Sequence, residues 1–312
     1  MRLQKFWLDV VKFITTVQNP MPDIQLTAIE GNHQWLDGGS MFVNVPRAIW
    51  EKGVTVDERR RIHLFCRAVL IQCVGLNILC EASIGNFFEP KLKDRFGVEE
   101  SDNMLLSSLQ KAGVSPEDIN IVILSHLHFD HAGGLLPSYA EIQAGNTELH
   151  FPNARYVVGE RAWRRAKNPH YRDRASFVPL LLEKLESSGR LVKVGEHHLP
   201  GILEDRLTFR FSDGHTPGQM HTVFRGEKHT VVFAGDLIPG TPWLHLPVTM
   251  GYDRYPEQLI DEKAKLLNEA IASDCLMFFT HDSQVAACWV QRDEKGKFGP
   301  SNSLSQIQKM PI

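Results

Sequence analysis

The spacing of apolar positions changes along the chain, and each change marks an element. Asp118-Ile-Asn-Ile-Val-Ile-Leu124 is a short run rich in β-branched residues, preceded by Ser115-Pro116-Glu117, and predicts a buried strand. Leu207-Thr-Phe-Arg-Phe211 alternates as a strand, and Thr230-Val-Val-Phe-Ala234 and Cys275-Leu-Met-Phe-Phe279 predict two more. Helical spacing appears over 102–111, closed by Ala112-Gly113, and over 257–273, opened by Tyr255-Pro256. Leu3, Phe6, Trp7, Val10, Val11, Ile14 and Val17 fall on one helical face. They predict an amphipathic extension over 1–22, packed on the body, forming a dimer contact or closing over a cleft. Residues 23–291 read as the main domain, and 292–312, rich in Lys, Gly, Ser and Gln, as a loosely ordered tail.

Chemistry gathers where these strands end. After Leu124 comes Ser125-His-Leu-His-Phe-Asp-His131. His126 and His128 are two residues apart, so an extended segment puts them on one face, able to grip one ion. Asp130 and His131 follow the bend and point elsewhere, which suits a second ion beside the first. Gly133-Gly134 lets the backbone curl tightly against the site. The strand at 207–211 leads into Ser212-Asp-Gly-His-Thr-Pro-Gly218, which presents His215. The strand at 230–234 ends at Gly235-Asp236, and that at 275–279 at Thr280-His281-Asp282. Imidazoles and carboxylates are the donors that borderline transition metals prefer, so convergence of these strand ends would make a cleft for two ions.

In their combination and order, Ser125-His-Leu-His-Phe-Asp-His-Ala-Gly-Gly134, Asp213-Gly-His-Thr-Pro-Gly-Gln219, Phe233-Ala-Gly-Asp-Leu237 and Phe279-Thr-His-Asp282 resemble the metallo-β-lactamase-fold hydrolases. The resemblance implies an α/β fold, a four-layer αβ/βα sandwich of two mixed β-sheets with helices on the outer faces. It implies that His126, His128 and His215 bind one metal, that Asp130, His131 and His281 bind the other, and that Asp236 bridges them. Two ions sharing Asp236 would share a water whose pKa falls from about 15.7 to about 7, giving a hydroxide nucleophile while the ions polarise the substrate oxygen. Asp130 would hold the hydroxide's proton and pass it to the leaving oxygen. Zinc suits these ligands best, and Mn2+, Fe2+ and Co2+ fit the same cage.

Within that superfamily the chain is similar to the branch containing acyl-homoserine lactonases and methyl parathion hydrolase. The likeness rests on Leu36-Asp-Gly-Gly-Ser-Met-Phe42, Phe151-Pro-Asn-Ala-Arg-Tyr156 and Leu246-Pro-Val-Thr-Met-Gly-Tyr-Asp253. It implies a small ester or lactone as substrate, of the acyl-homoserine lactone kind, and a homodimer. Phosphotriester or phosphodiester hydrolysis is the alternative, because the same metal pair attacks phosphorus as readily as carbon. Mononuclear iron sulfur dioxygenases keep much of this ligand set and are a second alternative. Two positions depart from the pattern. Cys80-Glu81-Ala82-Ser83-Ile-Gly85 stands where relatives commonly have an Asp-Thr-Gly turn, and Pro239 stands where many lactonases have tyrosine. On the loop after Asp236, His245 and Tyr252 are candidates to touch a substrate carbonyl. Phe42, with Trp35 and Met41, is a candidate for an apolar wall, and His221 for orienting a ligand.

Composition narrows the partners. The chain has 312 residues, of which 43% are hydrophobic and 23% charged, enough for an ample core. A net charge of −3 gives no global attraction to nucleic acid. The basic stretch Arg161-Ala-Trp-Arg-Arg-Ala-Lys167, followed by Arg172 and Arg174, reads as a solvated helix face or as a greeting for an anionic substrate. Cys66, Cys73, Cys80, Cys275 and Cys288 form no Cys-x-x-Cys pair and read as reduced core thiols. Lys5, Asp9 and Lys12 interrupt the first apolar segment, which therefore does not read as a secretion signal, and no run reaches the ~20 apolar residues of a membrane span. The expectation is a cytoplasmic enzyme without a membrane partner.

Overall fold

The computed structural model describes residues 24–73, 75–195 and 206–312. The 1–22 extension, and with it its predicted helix, lies outside the described residues. Along the chain come β1 (Gln25–Ile29), β2 (Gln34–Asp37), β3 (Arg61–Leu64), β4 (Ala68–Cys73), β5 (Leu76–Cys80), β6 (Ile121–Leu124), β7 (Arg155–Gly159) and β8 (Leu191–Val194). They are followed by β9 (Leu207–Ser212), β10 (Gln219–Arg225), β11 (Thr230–Phe233), β12 (Leu276–Phe278), β13 (Ala287–Arg292), β14 (Phe298–Leu304) and β15 (Met310–Pro311). One sheet has the order β15-β1-β4-β5-β6-β7-β8, the other β14-β13-β12-β11-β10-β9, and β2 pairs with β3 as a ribbon. Both large sheets mix parallel and antiparallel neighbours.

Burial on both faces explains the continuous apolar runs. Ile121 and Ile123 point between the sheets, where they join Val69, Ile71, Phe233 and Phe278. Val122 and Leu124 point the other way, into a layer that includes Leu105 and Leu109. A strand covered on both sides is apolar at every position rather than at alternate ones. The covering helices on the first sheet's outer face are α1 (Pro90–Phe96), α2 (Met104–Lys111), the short α3 (Phe129–Ala132), α4 (Glu160–Lys167) and α5 (Pro179–Ser187). On the second sheet α6 (Pro256–Ala272) lays Leu259, Leu266, Leu267 and Ala270 against Val223, Val232 and Met277. The result is the four-layer αβ/βα sandwich that the resemblance implies. Among the described residues no helix is long and apolar enough to cross a membrane.

The segment from Arg292 onward corrects the expectation of a loosely ordered tail. β14 pairs with β13 at one sheet's edge, and β15 pairs with β1 at the other's. Phe298, Ile307 and Ile312 are buried, and the Ile312 N–H donates to Ile24 O at 3.0 Å. A few apolar anchors are enough to dock a polar edge strand, because its outward positions may stay polar and its backbone bonds do not depend on composition. The basic stretch is also resolved. It is α4, with Ala162, Trp163 and Ala166 buried, while Arg161 pairs with Asp213, Arg165 with Asp173 and Lys167 with Glu186.

The inter-sheet layer makes Phe278→Ala a direct test of where the core lies, since Phe278 is 1% exposed and packs against Phe233. Urea denaturation is expected to show a loss of about 3–5 kcal/mol with an unchanged m-value.

Candidate metal centre

β6 delivers the first candidate ligands. Its last residue, Leu124, is followed by Ser125, and the extended backbone through His126 and His128 turns into α3, for which His128 is the N-cap and which carries Asp130 and His131. The turn closes tightly because Gly133 and Gly134 lie against the chain after β5. A Cβ on Gly133 would come within 2.5 Å of Ile84 O, and one on Gly134 within 2.1 Å of Ala82 O. The turn between β9 and β10 brings in His215, the end of β11 Asp236, and the end of β12 His281. All seven side chains are buried at the same end of the sandwich.

Asp236 stands between two groups of imidazoles. Its Oδ2 lies 3.4 Å from His215 Nε2, while its Oδ1 lies 3.1 Å from His131 Nε2 and 3.2 Å from His281 Nε2. His215 Nε2 is in turn 3.2 Å from His128 Nδ1, and Asp130 Oδ2 is 3.6 Å from His281 Nε2. Donor atoms within 4.8 Å of one another occur in the sets His126, His128, His215; His126, His131, Asp236; and Asp130, His131, His281. Nε2 of both His126 and His128 is buried with no hydrogen-bond partner, as a nitrogen that binds a metal would be. The residues therefore fit divalent ions.

The electrostatics point the same way. Burial, together with the neighbouring imidazoles, holds His126 and His128 well below the usual histidine range, in the neutral form that coordinates. Burial also works to lower His131 and His281, but the Asp236 carboxylate outweighs it and holds both well above that range. Burial works to raise Asp236, and is outweighed by His131, His281 and His215, which keep it ionised. A buried carboxylate in this setting demands positive charge, and protons on His131 and His281 meet the demand that a divalent ion would meet when bound.

A surrounding set of partners aims the ligands, and several of its members have no signal in the sequence. Nδ1 of His215 donates to Asp253 Oδ1 at 2.9 Å, and Nδ1 of His281 donates to Phe65 O at 2.7 Å, so each ring is oriented with Nε2 toward the centre. Gln34 Nε2 donates to Asp130 Oδ2 at 2.9 Å. Glu81, from the turn that departs from the family pattern, is fully buried at φ 69°, accepts from Ser125 N at 2.8 Å and places Oε2 3.6 Å from His131 Nδ1. That turn is thus built into the site. Asp253 is itself fixed by Met250 N at 2.7 Å, and Lys263 of α6 anchors the same loop by donating to Val248 O at 2.7 Å. His221 does not touch these ligands. Its Nε2 is 3.0 Å from Ser212 Oγ, and burial pushes its pKa down to about 3.

Above the ligands lies a cavity of about 560 Å³ bounded by Trp35, Met41, Phe129 and Tyr252. Tyr252 therefore stands where a substrate contact was expected. Phe42 and His245 stand elsewhere, lining a different hollow, with Phe42 stacked between Trp50 at 5.6 Å and Trp243 at 4.7 Å. Met41 ends the helical turn Gly38–Met41 and borders the cleft, while Phe42, its cap, has left the helical conformation and packs between the two tryptophans.

A sequence profile described as "Metallo-beta-lactamase superfamily" matches residues 96–281. The chain belongs to that superfamily. Among curated metallo-beta-lactamase relatives, the N-acyl homoserine lactonase AttM of Azorhizobium caulinodans is 25% identical over 132 residues, covering 42% of this chain and 45% of the relative. An N-acyl homoserine lactonase of Bacillus cereus is 26% identical over 151 residues, covering 47% and 48%. The chain spans about half the length of these curated relatives. Among solved structures, "a probable metal-dependent hydrolase from Staphylococcus aureus" superposes with a TM-score of 0.79 at 28% identity, over 94% of this chain and 100% of the other. The dizinc quorum-quenching lactonase AidC, in complex with a product, gives 0.71 at 20% identity over 92% and 97%, a likeness of fold.

Lys263 supplies a pH test of the loop anchor. Burial pulls its ammonium down to about 8 from 10.5. Between these values the unfolded chain binds the proton more tightly than the folded one, so stability rises with pH, by at most about 3 kcal/mol. Denaturant melts from pH 7 to 11 are expected to show this rise in the parent and its loss in Lys263→Met.

Proposed function

We propose that the protein is a dinuclear metal-dependent hydrolase of ester or lactone bonds, with acyl-homoserine-lactone-like molecules as the nearest substrate type. The observation that carries this reading is the placement of Asp236, one oxygen toward His215 and the other toward His131 and His281. His126, His128 and His215 would hold one ion, Asp130, His131 and His281 the other, with Asp236 shared. When held by these residues, divalent ions would supply Lewis acidity toward the oxygen of the bond to be cleaved and would lower the pKa of water toward neutral. The N-acyl homoserine lactonase relatives support the ester or lactone assignment.

Asp130 has a second duty in this reading. Gln34 fixes Oδ2, while Oδ1 remains 3.9 Å from His131 Nε2, so the carboxylate is held at the edge of the cavity with one oxygen not taken by Gln34. That oxygen takes a proton and returns it to the leaving oxygen. Tyr252, half-exposed on the same cavity, is placed to hydrogen-bond the substrate carbonyl. Trp35, Met41 and Phe129 offer the acyl part an apolar surface.

Metal analysis of the purified protein is expected to find two divalent ions per chain, and a panel of lactones, aryl esters and phosphate esters to show turnover of the first two. Phosphoester turnover without lactone or ester turnover would sink the reading, as would one iron per chain with oxygen uptake. His128→Ala is expected to lose both metal and activity. Asp130→Asn, assayed at saturating metal, is expected to lower kcat by roughly 100-fold or more, the scale of general acid–base catalysis; unchanged kcat removes the proton role.

A further inference from the structure

Arginine is concentrated at the rim of the same cavity, where a neutral acyl lactone offers carbonyl oxygens but no charge for it to pair with. Arg59, Arg61, Arg95, Arg172 and Arg254 all line it. Arg59 and Arg61 are matched by Asp94 and Asp57. Among the described residues, Arg95, Arg172 and Arg254 have no carboxylate within 4.0 Å. The four aspartates on the cavity have other partners, although Asp173 and Asp253 still act on Arg254 at longer range and Asp173 Oδ1 has no hydrogen-bond partner. Asp37 accepts from Ser40 N, Asp173 pairs with Arg165, and Asp130 and Asp236 face the histidines.

Two of these arginines rest on the loop that follows Asp236, Arg172 exposed and Arg254 partly buried. Arg172 Nη2 donates to Gly251 O at 2.7 Å, and Arg254 Nη2 to Tyr252 O at 2.9 Å, so both guanidinium groups rest on carbonyls of one loop. The Arg254 N–H also donates to His215 O at 3.1 Å, tying this arginine to the ligand turn. Arg254 Nη1 is buried and has no hydrogen-bond partner. Carbonyl contacts account for the loop but neutralise no charge, and a buried guanidinium N–H without an acceptor is rare unless something is to be received there.

We propose that Arg172 and Arg254, with Arg95 adding to the field, form an anion subsite, and that the substrate carries an oxyanion, carboxylate or phosphate, on the part that is not cleaved. The inference rests on the hydrolase reading and names the substrate class for it. The forked N–H donors of arginine match an oxyanion, and the setting beside an apolar wall strengthens the contact relative to open water.

On the metal-loaded protein, kcat/KM for 4-nitrophenyl glutarate, which ends in a free carboxylate, is expected to exceed that for the neutral 4-nitrophenyl glutaramate by roughly tenfold, mainly through KM and less at high salt. In Arg172→Gln and Arg254→Met the ratio is expected to fall toward one. The bound metals attract carboxylates in the parent and both variants alike, so the change in ratio isolates the arginines. Calorimetric titration with glutaramide, glutaramate and 3-phosphonopropionamide gives a readout that does not need turnover. Tighter binding of either anion, reduced in both variants, supports the subsite, and the tighter of the two identifies the source of the oxyanion. A parent ratio at or below one, or equal affinities for the neutral and anionic amides, overturns the inference while leaving ester hydrolysis intact. Absence of turnover on every ester, with the affinity gap present, overturns the hydrolase reading instead.

Discussion

A carboxylate buried among imidazoles has to be compensated, and Asp236 sits where that demand is greatest. Its two oxygens face three histidines from three separate segments, at 3.1 to 3.4 Å. Taking such a group out of water is costly unless positive charge arrives with it. The segments carrying His131, His215 and His281 meet here, in a cluster of polar side chains at one end of an otherwise apolar sandwich, and the buried nitrogens left without a partner are where cations would complete it. The cavity, its rim and the loop after Asp236 are arranged around this point.

Precision comes from a ring of contacts further out. Asp253, Phe65 O, Gln34 and Glu81 each address one ligand side chain or stand beside it, and they come from four different parts of the chain. Lys263 reaches from the outer helix into the loop carrying Asp253, so the helical layer is mechanically linked to His215. Glu81 adopts a left-handed backbone conformation while fully buried, a strained arrangement that persists when the surroundings over-determine it. Its two carboxylate oxygens, one on Ser125 N and one toward His131, are what hold it there. The longer side chain at this turn spans from the end of β5 to the start of the ligand loop.

The cleft above the centre combines two surfaces of different character. Trp35, Met41 and Phe129 form an apolar wall, while Arg254, on the loop that orients His215, and Arg172, which donates to that loop at Gly251 O, bring positive charge to the rim. The short segment from Met250 to Arg254 thus both orients His215 and borders the cavity. Changes in that segment act on both at once.

The residues that gather around Asp236 and the strands that deliver them were legible in the sequence because both leave local signatures. A buried strand such as Ile121–Leu124 is apolar at every position, and metal-binding residues at strand ends recur in fixed spacing. Gly133-Gly134 could likewise be read, since close backbone approach excludes a side chain. The edge strands β14 and β15 were not legible, because a docked edge needs only a few apolar anchors within a polar composition. Nor were the sides taken by Met41 and Phe42, which depend on how one turn seats against Trp50 and Trp243. By itself the sequence determined the layers of the fold and which side chains gather at one end of it. Tertiary structure alone decided the partners of those side chains, such as Glu81, Asp253 and the unmatched arginines, because contacts between residues dozens of positions apart leave no periodic trace in the chain.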